Sequence, residues 1–170
     1  MTLILEDGTG IDNANAYADS AAFKVYHKDR GNIFDAGSSE IDKALITATD
    51  FIDREFGGRF KGVKEFSTEN ELEFPRIRLF NRAGILVTGI PLKLSWATIE
   101  YGLRALTEEL FLVPVVDDTG LRRIGFRDKV GPIETEVKYA ESTTRELGKP
   151  YPVADKLLKE YLKSANAVTR

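Results

Sequence analysis

Two basic clusters, Arg59, Lys61, Lys64 and Arg76, Arg78, Arg82, are interleaved with Phe60, Phe66, Phe74 and Phe80. Cations beside aromatic rings suit the binding of a single nucleic-acid strand, with phosphates paired and bases stacked. They equally suit a protein interface, and the same phenylalanines can simply fasten a loop to a core. Glu65, Glu69, Glu71 and Glu73 interrupt the run. That favours core anchoring and a protein interface over stacking, and leaves all three readings standing.

Other chemistry finds little support. Gly8-Thr9-Gly10 lacks the spacing and the lysine of a phosphate-cradling loop. His27 is the single histidine, which excludes a histidine-rich metal cluster, and its place late in a helical pattern suits a structural role. Asp7, Asp12 and Asn13 are hard oxygen ligands but miss the spacing of a calcium loop, so turn capping is the expectation. Glu108–Glu109 and Asp117–Asp118 are sequence neighbours, which on a helix diverge by about 100° and so do not converge on one substrate. The chain has no cysteine, so disulfides, thiolate metal sites and thiol nucleophiles are out. The expectation is a protein that is not an enzyme and has no cofactor and no metal.

The elements that must position the basic-aromatic stretch follow from periodicity. Asp19 caps a pattern of Ala22, Phe23 and Tyr26 that Gly31 stops, predicting a helix over 19–30. Ser39 precedes Ile41, Ala44, Leu45, Ala48, Phe51 and Ile52, the apolar face of a helix over 40–55. Pro91 opens a third over 92–112 and Pro152 a fourth over 152–163. Between the second and third, residues 59–91 read as a long structured loop, a length more often functional than idle. Ile133, Thr135, Val137 and Tyr139 alternate with polar residues, predicting a strand that pairs with 121–127 as a hairpin. The fold class is mainly α: a small bundle of about four helices with an inserted β-hairpin and a long structured loop. One domain over 1–170 is expected, with a helical core at 15–112, the hairpin at 120–139, a polar linker at 140–149, and a C-terminal helix and tail at 150–170.

Composition bounds the partners. The 170 residues carry 24 basic and 27 acidic side chains, net -3, and 42% are apolar. No run reaches the ~20 apolar residues of a spanning helix, and MTLILEDGTG turns acidic before a signal-peptide core forms, so no membrane partner is expected. Charge is uneven: residues 1–58 are net -6, 59–104 net +3 and 105–170 neutral. Only the middle offers DNA a basic surface, without the excess of a dedicated nucleic-acid binder.

The order YADSAAFKVYHKDRG (17–31), KALITATDFID (43–53), Phe74-Pro75-Arg76, Ile90-Pro91, KVGPI (129–133) and KPYPVADKLL (149–158) resembles a family encoded among tailed-phage head genes. Its members are often labelled DnaT-like single-stranded DNA-binding proteins and are similar to head-tail connector adaptors. Phe74 stands where that pattern has a tryptophan. The resemblance implies a structural ring, of twelve subunits, between the portal protein and a downstream neck or tail-completion protein. It further implies assembly in the host cytoplasm, a place in the virion neck and transient, non-specific contact with genomic DNA; the alternative is a DnaT-like single-stranded DNA-binding replication protein. Phe74, Arg76, Arg78 and Arg82 are the candidate subunit interface. Tyr151, Leu157, Leu158, Tyr161 and Leu162, on the short C-terminal helix, are the candidate contact with the portal or a neighbour. The competing reading is that this helix belongs to the subunit's own core, and docking is the expectation.

Overall fold

A computed structural model describes residues 2–32, 36–66, 72–108, 110–111, 123–129, 134–139 and 151–163. In chain order these form α1 (Ser20–Lys28), α2 (Ser38–Phe56), a 3-10 turn (Gly57–Arg59), β1 (Val63–Lys64), β2 (Arg76–Ile77), β3 (Leu79–Phe80) and β4 (Leu86–Val87). Then follow α3 (Leu92–Ala105), β5 (Arg123–Lys129), β6 (Glu134–Tyr139), α4 (Pro152–Leu158) and a second 3-10 turn (Lys159–Tyr161). The class is mainly α with small antiparallel sheets, as the periodicity predicts. The chain divides into two units, Met1–Leu110 with Pro150–Arg170, and Phe111–Lys149.

In the first unit, α2 and α3 form the centre. Ala48, Ile52 and Phe56 of α2 meet Leu94, Ala97 and Tyr101 of α3 in one buried cluster. Gly102 permits the approach, since a Cβ there would lie 2.9 Å from Leu45 Cδ2. A second cluster joins Phe23 and Tyr26 of α1 to Ile41, Leu45 and Ile99. Fully burying each such aliphatic or aromatic side chain contributes about 1.5–3 kcal/mol, far more than helix propensity supplies. Asp19 caps α1 by accepting the Ala22 amide at 2.7 Å. α2 begins at Ser38, with Gly37 at its N-cap, two residues before the start expected from the helix over 40–55. α3 ends at Ala105, short of 112, and the helical part of α4 ends at Leu158. Ahead of α1, the Glu6 carboxylate accepts the amides of Gly8, Gly10 and Ile11 at 2.8–3.0 Å and so holds the N-terminal loop in shape. At the N-terminus, Leu5 and Ala16 form a single isolated bridge.

The expected docking role of the C-terminal helix needs correction. Tyr151, Ala154, Leu158 and Tyr161 are buried in the same cluster as α2 and α3, with Leu157 and Leu162 packed against it. Asp155 explains the attachment: it accepts the Tyr101 hydroxyl and, at 3.1 Å, the Tyr151 amide. Beyond the helix, the Lys61 amide donates to Tyr161 O and the Lys163 amide to Arg59 O, both at 2.8 Å, around a bridge between Phe60 and Leu162. A helix too short to persist alone borrows its stability from its own subunit.

The second unit contains the antiparallel pair β5–β6, from Arg123↔Tyr139 to Lys129↔Glu134, with a register shift between Arg123 and Gly125. This is the expected hairpin. The expected linker at 140–149 and the tail after Lys163 lie outside the described residues.

Candidate binding surface

The described residues of 59–91 form two short antiparallel pairs built on a buried clamp. Phe60 and Phe74 are fully buried, with ring centroids 4.9 Å apart in an edge-to-face arrangement. Arg76 is buried with them, its guanidinium 5.8 Å and 5.9 Å from the two ring centres. It donates to the carbonyls of Lys61 at 2.9 Å and Glu73 at 3.1 Å, and to the Glu73 carboxylate at 2.6 Å. A buried guanidinium satisfied this fully holds chain in place and is unavailable to an outside partner. Of the four candidate interface residues, Phe74 and Arg76 are thus interior, and Arg78 and Arg82 remain on the surface.

On this base β1 pairs with β2 (Val63↔Ile77, Lys64↔Arg76) and β3 with β4 (Leu79↔Val87, Phe80↔Leu86). Directly opposed residues of an antiparallel pair share a face. Leu79 and Val87 point to the core. Val63 and Ile77, 55% and 43% exposed, form one apolar pair on the solvent side; Phe80 and Leu86, 49% and 53% exposed, form another. Ile85 and Leu92 add exposed apolar surface, and Phe66 is partly exposed.

Arg78 separates the two pairs with a left-handed backbone, φ 56°. A strand turns alternate residues to opposite faces, and this one extra residue shifts the phase. Arg76 and Leu79 therefore both point inward, while Ile77 and Phe80 both point outward. Gly62 makes room beneath the turn: at φ 73° a Cβ would lie 2.5 Å from Ile77 O. Arg82 sits exposed in the 81–85 turn, where Asn81 Oδ1 accepts the amides of Ala83 and Ile85, both at 2.9 Å. Beside this turn, Asn81, Arg82, Val87, Leu92, Trp96 and Tyr161 line an open cleft of about 550 Å³. Lys93 at its edge pairs with Glu160 at 2.7 Å, which holds the Glu160 carboxyl below its usual range.

His27 is buried against Phe23 and Tyr26, ring centroids 4.5 Å and 5.1 Å away, and burial lowers its pKa. Tyr26 donates to Glu100 at 2.7 Å; burial and this bond push its hydroxyl up to about 12. Asp7 accepts the Thr9 hydroxyl and amide, the turn-capping role expected of it. Among the described residues, no group of three or more His, Asp or Glu could hold a metal ion, and no helix is long and apolar enough to cross a membrane.

The sequence reading named Phe66, Phe80 and the arginines but missed Val63, Ile77, Ile85, Leu86 and Leu92. The first four were present only as aliphatic residues in a segment without a helical or strand period, and Leu92 opens α3 with its side chain exposed.

Fold and surface together define a small, mainly helical protein that carries an exposed apolar and basic face on two short hairpins. One family's sequence profile matches residues 1–170, that described as "Putative DnaT-like ssDNA binding protein", and the chain belongs to this family. No curated protein and no solved structure matches it.

Proposed function

We propose that the protein is a non-catalytic, ring-forming connector adaptor of a tailed-phage neck, sitting between the portal and a downstream neck or tail-completion protein. The reading rests on the outward pairs Val63/Ile77 and Phe80/Leu86. These are mainly aliphatic, and aliphatic surface is covered by another protein surface, whereas bases stack on aromatic rings. Arg78 and Arg82 give the face a charged rim. Head-to-tail rings need two different surfaces per subunit, and the outer hairpin face supplies one of them. The chain's resemblance, over nearly its whole length, to a family encoded among tailed-phage head genes whose members are similar to connector adaptors supports the phage context, and with it assembly in the host cytoplasm. DNA passes through such a ring without being gripped, in keeping with a subunit of net charge -3.

Native mass spectrometry of the full chain with a portal complex tests this. Ile77→Asp combined with Leu86→Asp is expected to abolish assembly with circular dichroism unchanged; normal assembly of that variant refutes the assignment.

A second reading, single-stranded DNA binding, is favoured by the family's description. Phe66 and Phe80 are two exposed rings that could stack bases, near Lys64, Arg78 and Arg82. Titration with oligo-dT separates the two. The adaptor predicts weak, sequence-independent binding that fades steeply with salt, whereas sub-micromolar affinity at about 150 mM salt establishes the second reading.

A further inference from the structure

Each unit carries antiparallel ladders with one apolar face. In the first unit that face holds Val63/Ile77 and Phe80/Leu86, with Arg78 exposed between the two pairs. In the second, the register Phe126↔Val137, Arg127↔Glu136, Asp128↔Thr135 and Lys129↔Glu134 fixes which residues of β5–β6 share a face. Alternation places Phe126, Asp128, Thr135, Val137 and Tyr139 on one side. Arg127, Lys129, Glu134 and Glu136 fall on the other, each cation directly opposite an acid. The second side is suited to water, and the side of Phe126 and Val137 to burial with a single carboxylate among apolar residues.

Among the described residues, β5 and β6 pair only with each other. A lone two-stranded ladder is at best marginal in water and needs a surface against its apolar side. The outer face of the first unit needs a cover too, since Val63, Ile77, Phe80 and Leu86 are 43–55% exposed. Charge decides which face covers which. Two copies of the outer face set together would gather Arg78 and Arg82 from both chains, and two copies of the β5–β6 face would gather Asp128 from both. Like charges oppose each of those pairings, whereas one face of each kind sets Asp128 against Arg78.

We propose that β5–β6 of one subunit lies across the outer β1–β4 face of the next, with Asp128 meeting Arg78. The pairing rests on the ring assembly proposed above and supplies the second surface that head-to-tail contact requires. Every chain carries both surfaces, so the same contact repeats from subunit to subunit until the ring closes.

Charge reversals mixed across chains test it. The full chain with a portal complex is followed by native mass spectrometry in four forms: Arg78→Glu, Asp128→Arg, an equimolar mixture of those two, and one chain with both. Each reversal alone should cut the assembled species at least about tenfold, because every contact then sets like charges together. The mixture should assemble to within about twofold of wild type, since alternating chains make a native contact and a swapped contact in turn. An even-numbered ring closes on that alternation. The chain with both reversals should assemble likewise.

Assembly of the double variant but not of the mixture would set Asp128 against Arg78 of its own chain and overturns the proposal. Undiminished assembly of either single variant, or failure of both combinations, overturns it as well. Wild-type chain that does not assemble at all overturns the ring reading and this pairing together, whereas wild-type assembly without the rescue overturns the pairing alone. Should a reversal disturb folding, single cysteines decide, the chain having none of its own. Under mild oxidation, Ile77→Cys chains mixed with Phe126→Cys chains should form the mixed disulfide in preference to either self-linked dimer, and its absence overturns the pairing.

Discussion

Phe74 and Phe80 lie in one short stretch, each two residues from an arginine, and their fates are opposite. Phe74 is fully buried with Arg76 against it, whereas Phe80 is half exposed beyond Arg78. Residue type does not distinguish them; the left-handed backbone at Arg78, which resets which side of the chain faces the core, does. One cluster of cations and rings thus splits into an inner clamp that fixes the fold and an outer face available to partners.

Substitutions at matched positions should break this contrast into its parts. The largest effect is expected at the inner ring, where Phe74→Ala should lower unfolding free energy by about 3–5 kcal/mol in denaturant titration, through lost burial and a cavity. Phe80→Ala should stay within about 0.5 kcal/mol. Comparable losses at both positions would erase the distinction.

The arginines come next. Arg76→Ala strands the Glu73 carboxylate and the Lys61 carbonyl, and should cost about 3 kcal/mol. Arg78→Glu should leave the thermal midpoint within error yet impair assembly. Charge reversal at both together is a poor probe of assembly, because the Arg76 half disrupts the subunit.

Overall stability should fall as pH rises from about 4 through about 7, since burial raises the Asp53 carboxyl to about 7 in the fold, and Asp53→Asn should remove that part of the slope. Denaturant midpoints across this range read it directly. The smallest effect is expected at the divider itself. Arg78→Gly removes the Cβ that disfavours the left-handed region and should raise stability by at most about 1 kcal/mol, offset by the unfolded chain's greater freedom. A clear loss would mean that the Arg78 side chain holds the fold after all.

The helices were legible because their apolar residues recur at helical spacing: Ile41, Leu45, Ala48 and Ile52 mark α2 with no help from tertiary context. The β5–β6 pair was legible from its two-residue alternation. The stretch 59–91 was not. Its ladders are two residues long, too short to show a period, and Arg78 carries no glycine to advertise its backbone. Burial of Arg76 depends on carbonyls of Lys61 and Gly62 and on two rings that only folding brings together. The C-terminal helix showed its apolar stripe but not the surface it covers, because Tyr101–Asp155, a contact between distant residues, decides that.

The burial of Leu158 and Tyr161 beside α2 and α3 also constrains biosynthesis. The last pieces of this core are encoded about 50 residues after α3, so translation at ~5–20 residues per second leaves α3 waiting about 3–10 s before α4 exists. During that interval Leu94, Tyr101 and Phe60 lack their C-terminal cover. The nascent chain then has a window for engagement by chaperones that closes only after Leu162 clears the ribosome.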